Sequence, residues 1–266
     1  MNNEISHFGF IASVFIAGFF GLSLGSFLNV IIYRLPRKES IVFPGSHCTH
    51  CDSPILYRDN IPVAGFILLR GKCRACRTPI SWRYPLVEAV TGCMVIVLFT
   101  LNGFTLNFAA DTALAAILLA AAMIDLKHMI IPNRLTYPGT LIAAGLSFRW
   151  GLDGIVRGIQ GGLVGIFILS IMYYIGKLMF KKESMGMGDI KLAFVIGVFV
   201  GPFWCLIALV LAILVGGIFG IIQLATGKKN IAQEVPFGPF LATGGFCVLF
   251  FKSQIIYLIE QYLKML

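Results

Sequence analysis

The sequence predicts an all-α polytopic membrane protein of about eight transmembrane helices, with a small cytoplasmic subdomain between the first two. Composition is the first observation behind this: 58% of residues are hydrophobic and only 12% charged, which excludes an ordinary soluble domain. The second is the recurrence of apolar stretches near the 17–25 residues that a bilayer-crossing helix needs. The third is a strong asymmetry in where the basic residues fall.

Taken in order, the apolar stretches are Phe8–Tyr33, Pro85–Leu101, Leu106–Ile124, Leu135–Phe148, Ile155–Phe180, Ile190–Phe203, Trp204–Thr226 and Phe237–Phe251. The fourth and sixth are short for full spans. The first is too long, and too poor in basic residues at its start, for a cleaved signal peptide. The chain then divides into a first transmembrane helix (1–33), a cytoplasmic loop domain (34–84) and a multi-helix membrane domain (85–266).

Orientation follows from charge. Between Arg34 and Pro85 there are nine Lys and Arg residues against three acids, whereas Met1–His7 carry only Glu4. The positive-inside rule puts the long loop in the cytoplasm and the N-terminus outside. Threading eight spans from there also places Lys127–Arg134, Lys181–Lys182 and Lys228–Lys229 inside. Arg149 and Arg157 fall outside, against the rule, with Asp153 between them. The net charge of +9 is accounted for by topology and contact with anionic membrane lipids, and nucleic acid need not be invoked.

Two acids stand at the edges of apolar runs. Asp189 follows Gly186-x-Gly188 and precedes the apolar run from Ile190, where it reads either as a helix cap or as a functional acid. Its glycines permit close approach of another backbone. Asp125 ends the uncharged run Ala113–Ile124, and a carboxylate at a helix C-terminus faces the wrong end of the dipole, so capping does not explain it. In the threaded topology both acids reach the cytoplasmic boundary. Two carboxylates within hydrogen-bonding distance share a proton and split their acidities, which suits hydrolysis of a peptide bond by activated water. A metal or proton-relay role in a transporter is the competing reading of intramembrane acids.

The loop carries the strongest local signal. Cys48-x-x-Cys51 is followed, after 21 intervening residues, by Cys73-x-x-Cys76, spacing that presents four thiolates to a zinc ion. A reducing cytosol disfavours paired disulfides, and a redox pair is the alternative. Four thiolates close the coordination shell, so the zinc is structural. His47 and His50 read as solvated neighbours. Cys93, Cys205 and Cys247 lie in spans and read as small apolar side chains.

A set of motifs runs in order along nearly the whole chain: Gly25-Ser26-Phe27-Leu28-Asn29-Val30 with Arg34-Leu35-Pro36, the paired Cys-x-x-Cys loop with Asn60-Ile61-Pro62, Arg83-Tyr84-Pro85-Leu86-Val87-Glu88, Asp125 with Ile131-Pro132-Asn133, Gly186-x-Gly188-Asp189-Ile190-Lys191, and Pro236-Phe237-Gly238-Pro239-Phe240. Together they resemble the type IV prepilin peptidases, the Gly-x-Gly-Asp membrane aspartic proteases. The resemblance implies a bifunctional bacterial inner-membrane enzyme. It would cleave the basic leader from type IV prepilins and type II secretion pseudopilins at the cytoplasmic face, then methylate the new N-terminal amine with S-adenosylmethionine. It places the catalytic acids at Asp125 and Asp189 and the zinc ligands at Cys48, Cys51, Cys73 and Cys76. A membrane aspartic protease without methyl transfer is the nearest alternative. Departures are mild: the first knuckle lacks a proline, Asn133 stands where aspartate is common, and Ala64 where serine is expected.

Other residues carry two readings each. Glu88, one turn into the span opened by Pro85, suits the helix dipole and, in the resembling motif, would line the substrate path. Lys191 and Lys127 each stand two residues from an acid and read as boundary lysines or as substrate contacts. His128 reads as a surface residue or as a tuner of Asp125. Gly238 and Pro239 open the last span and would shape the cleft around the acids, or simply start a helix. The pairs Gly161-Gly162, Gly216-Gly217 and Gly244-Gly245 predict close helix packing in lipid, and the tail from Ser253 to Leu266 is placed along the outer interface. No glycine-rich strand-to-helix turn is present, so a methyl-donor site would not be a Rossmann pocket; the family resemblance alone places it near the zinc loop.

Overall fold

The structure is a computed structural model and describes residues 2–180, 185–226 and 235–265; Lys181–Lys182 and Lys228–Lys229 lie outside the described residues. Two compact units are present, Met1–Phe108 and Ala109–Leu266.

In the first unit, helix α1 (Asn2–Arg34) packs along α3 (Arg83–Asn102), and the short α2 (Ala64–Leu68) sits in the loop between them. Small residues set the α1–α3 spacing. A Cβ on Gly25 would fall 2.6 Å from the Glu88 Cα, and one on Gly21 2.8 Å from the Val95 side chain. Lipid gives helices no hydrophobic drive toward one another, so close backbone approach supplies the attraction. At the far end Phe99, Phe104 and Phe108 cluster with centroids 4.6–6.2 Å apart, Phe108 standing edge to face with the other two. At the loop end Arg34 is 6% exposed and donates to the carbonyls of Ser40 and Gly45, both at 3.0 Å. A buried guanidinium needs such partners, and these two fold the start of the loop back onto α1.

The second unit is a bundle of α4 (Leu106–His128, whose first turn precedes the boundary), α5 (Asn133–Leu146), α6 (Asp153–Phe180), α7 (Met187–Val200), α8 (Pro202–Ala225) and α9 (Gly238–Met265). Helix α7 is its axis, packed against α5, α6, α8 and α9, and it is buried almost all round from Asp189 to Phe199. Its seam with α6 is backbone on backbone: Gly161 meets Gly197, and Gly165 meets Ala193. Gly244 likewise meets the Ala208 carbonyl, and Gly216 has Phe240 against it, whereas Gly217 has nothing near. Arg149 donates to the Phe199 carbonyl and, at 3.3 Å, to that of Leu146. This arginine, which runs against the charge rule, is occupied in closing the C-terminal end of α7, where a cation suits the dipole.

Each of the eight apolar stretches carries a helix, and among the described residues six helices are long and apolar enough to cross a membrane. The other two, α5 and α7, have 14 residues each, about 21 Å at 1.5 Å per residue, against a hydrocarbon core of about 30 Å. The last helix runs on past the predicted span, with a break in its helical dihedrals at Phe251. Cys205 is buried as expected of a small apolar side chain, Cys247 is half-buried, and Cys93 is exposed on α3.

Candidate active site and metal site

The acid site is assembled inside the second unit from three helix ends. Asp125 lies one turn before the end of α4 and is 5% exposed. Its Oδ2 accepts the Gly238 N–H at 2.8 Å, one of the donors that the first turn of α9 leaves without an intrahelical partner. Asp189 is the third residue of α7, which begins at Met187, earlier than the apolar run at Ile190 suggests. Its Oδ2 reaches back to accept the Gly186 N–H at 3.2 Å. The cap reading is therefore realised by one oxygen. The other, Oδ1, is buried with no hydrogen-bond partner, in a residue 7% exposed. Asp125 lies near enough to Asp189 for the two carboxyl groups to interact electrostatically. Burying a carboxylate oxygen unmet is costly, and a structural cap has no need of it.

At two of the glycines around the pair a side chain would collide. A Cβ on Gly238 would lie 2.7 Å from the Asp125 Oδ2, and one on Gly188 2.8 Å from the Ile131 Cβ. Gly188 thus seats the start of α7 on the α4–α5 connection, while Gly186 supplies the amide held by Asp189. Lys191 turns from the acids: its Nζ donates to the Asn133 Oδ1 at 2.8 Å and lies 5.4 Å over the Tyr137 ring, tying α7 to α5. Pro239 follows Gly238 in the first turn of α9, where its missing N–H costs nothing. Lys127 is exposed and His128 half-buried.

The metal site is local to the first unit. The sulfurs of Cys48, Cys51, Cys73 and Cys76 all lie within 4.8 Å of one another, with Cys48 and Cys76 3.9 Å apart. Tetrahedral zinc at about 2.3 Å from each sulfur sets neighbouring sulfurs about 3.8 Å apart, so the cluster fits a metal ion. Neither His47 nor His50 belongs to it.

The two knuckles are copies of each other. In the first, Cys48 N–H donates to the Ser53 carbonyl at 2.9 Å and Asp52 N–H to the Cys48 carbonyl at 3.0 Å; in the second, Cys73 donates to Thr78 at 2.9 Å and Arg77 to Cys73 at 3.1 Å. Asp52 and Arg77 both take left-handed dihedrals, with φ of 55° and 60°. The repeat is visible in the sequence as Cys-x-x-Cys-x-Ser/Thr-Pro-Ile at Cys48–Ile55 and again at Cys73–Ile80. Reading the cysteine spacing alone overlooks Ser53 and Thr78, whose hydroxyls lie 3.3 Å from the Cys51 sulfur and 3.1 Å from that of Cys76. Those hydroxyls hold the Cys51 and Cys76 thiols below their ordinary range, favouring the thiolate that binds metal.

Glu88, buried on α3, accepts the Val63 N–H on its Oε2 at 2.7 Å. Val63 has φ of 59°, unusual for a β-branched residue, so this carboxylate holds a strained residue at the head of α2. Beside it Arg74 grips Asp59 with two bonds of 2.6 and 2.7 Å, which keep the Asp59 carboxyl below its usual range.

Two family models match the chain, one described as the bacterial peptidase A24 N-terminal domain at residues 19–101 and one as the type IV leader peptidase family at residues 112–221. A relative from Myxococcus xanthus is 38% identical over 86% of this chain and 68% of its own length. The chain belongs to the type IV leader peptidase family. Further members are a protein from Aeromonas hydrophila, 36% identical over 89% of this chain and 90% of its own, and one from Stutzerimonas stutzeri, 35% identical over 92% and 93%. All three relatives are named prepilin leader peptidase/N-methyltransferase. No solved structure gives a significant match. As a leader peptidase family member with six helices of spanning length among the described residues, the protein is a multi-pass membrane protein.

Proposed function

We propose that this leader peptidase family member cleaves the basic leader from type IV prepilins and type II secretion pseudopilins, then methylates the exposed N-terminal amine. The observation that carries the reading is the buried, unpartnered Oδ1 of Asp189 in a carboxylate within reach of the Asp125 charge. Both acids are anchored by one oxygen each to a glycine amide. That leaves the other oxygens for a water and a scissile carbonyl.

Two neighbouring carboxylates share one proton. The ionised partner takes a proton from water as the water oxygen adds to the scissile carbon. The protonated partner donates to the carbonyl oxygen, which develops negative charge. Collapse of the tetrahedral adduct breaks the C–N bond, and the proton gained from water passes to the leaving nitrogen.

By the charge argument the acids face the cytoplasm of a bacterial inner membrane, with the N-terminus outside, anionic lipids around the basic loop, and the leader retained by the rule that orients the enzyme. Residues 34–84 form the subdomain closed by structural zinc on its four cysteines, between helix 1–33 and the membrane domain 85–266. The methyl donor is S-adenosylmethionine: when bound, it supplies a sulfonium methyl to the amine lone pair, releasing S-adenosylhomocysteine and one proton. No observation favours a transporter using the same acids.

The test is purified protein in lipid, given a prepilin with a basic leader. Asp125→Asn and Asp189→Asn are each expected to lower cleavage by about 10³-fold or more, since each removes a general acid–base group, with metal content unchanged. A variant that still cuts near the wild-type rate removes the pair from the reaction. Methyl incorporation into the cut product separates the bifunctional enzyme from a plain protease.

A further inference from the structure

Among the described residues, few buried side-chain atoms lack a hydrogen-bond partner. Two of them, an acceptor and a donor, lie on side chains linked through Tyr84. Asn29 on α1 is 4% exposed and donates through Nδ2 to the Tyr84 carbonyl of α3 at 3.0 Å; its Oδ1 accepts nothing. Arg83, the residue before Tyr84, has a buried Nε that donates to nothing, in a side chain that is otherwise half exposed.

Leaving a buried polar atom unmet is costly, and packing has not removed either. Both side chains are also held still. The Asn29 amide is fixed by the Tyr84 carbonyl, and the Arg83 guanidinium carbon lies 5.4 Å over the Tyr84 ring. Oriented, desolvated groups of this kind are preorganised for a ligand.

Their chemistry specifies the ligand. A buried amide oxygen wants an N–H. A guanidinium N–H wants an anionic oxygen. The end of a free amino acid offers both, an ammonium and a carboxylate on one carbon. Resting on the proposed methyl transfer, we infer that Asn29 Oδ1 and Arg83 Nε bind the methionyl end of S-adenosylmethionine, its ammonium on the asparagine and its carboxylate on the arginine. The half-exposed guanidinium gives the entry side. Glu88 stands one helical turn beyond Tyr84 on the same face of α3 and anchors α2 to the site.

The test is equilibrium dialysis of the full chain in detergent against tritiated S-adenosylmethionine and against 5′-methylthioadenosine, which lacks the methionyl end. Asn29→Leu and Arg83→Gln are each expected to weaken S-adenosylmethionine at least tenfold and 5′-methylthioadenosine less than twofold. Arg83→Lys keeps the charge without the Nε donor and should fall between. Unchanged S-adenosylmethionine affinity in Asn29→Leu and Arg83→Gln overturns the assignment, as would follow if a water satisfies both atoms. Equal loss of the two ligands overturns it too, by showing general damage. A wild type that binds neither ligand and transfers no methyl overturns the methyltransferase reading itself and this assignment with it.

Discussion

The metal site and the acid site are built on opposite plans. The four sulfurs come from 29 consecutive residues, organised by one hydrogen-bonded turn used twice. The acid site draws Asp125, Asp189 and Gly238 from three helices, and the Asp125–Gly238 bond alone joins residues 113 apart. A site made within a short loop needs only local geometry and an ion. A site made at helix ends needs the whole bundle. The first should therefore tolerate damage to the bundle, and the second damage to the loop.

Metal removal gives that contrast its largest expected effect. Four-thiolate zinc contributes about 10–16 kcal/mol in small domains, so chelation or Cys73→Ser is expected to unfold the knuckles and lower methyl transfer at least tenfold. Cleavage should change far less. Equal loss of the two activities would show that the sites are not independent.

Gly238→Ala tests the other plan. Its Cβ would lie 2.7 Å from the Asp125 Oδ2, and overpacking of this kind costs about 1–3 kcal/mol. Cleavage is expected to fall about tenfold with the metal content intact. An Ala variant of wild-type activity would mean that Asp125 does not depend on α9 for its position.

Glu88→Ala removes the acceptor of the Val63 N–H, and a lost buried partner costs about 1–3 kcal/mol. Hydrogen exchange in the loop should rise, with α4–α9 unaffected; protection spread evenly over the chain would count against two separate plans. The smallest effect belongs to Asp59. Its carboxyl sits below the usual range because of Arg74, so its stabilisation is present above the unfolded pKa of about 3.9 and is lost as pH falls through the lower folded value. Asp59→Asn should thus soften the loop at neutral pH and matter less as the medium becomes strongly acidic. A variant difference that grows on acidification would reverse the sign.

The same contrast governs what the sequence makes legible. Cys48, Cys51, Cys73 and Cys76 are readable from spacing alone, and the full repeat to Ile55 and Ile80 was there to be read as well. Asp125 and Asp189 stand out because an acid at an apolar boundary is anomalous. Their oxygen partners do not stand out, since Gly186 and Gly238 act through backbone amides, and which amide an acid meets is set by packing. Short α5 and α7 were visible as short runs, but the burial of α7 on almost every side depends on its neighbours. Asn29 and Arg83 lie in recognisable motifs, yet only the folded chain shows which of their atoms go unmet.

A 14-residue helix shorter than the bilayer is free to bob along the membrane normal, and any group it carries would sample a range of depths. The Gly161–Gly197 and Gly165–Ala193 contacts remove that freedom, because backbones locked at this separation cannot slide past each other without breaking register. Depth thereby becomes a fixed quantity. In the proposed enzyme, the α6–α7 seam is what turns Asp189 into a ruler: a membrane-anchored chain is cut at a set distance from the point where it enters the lipid, whatever the length of the segment to be removed.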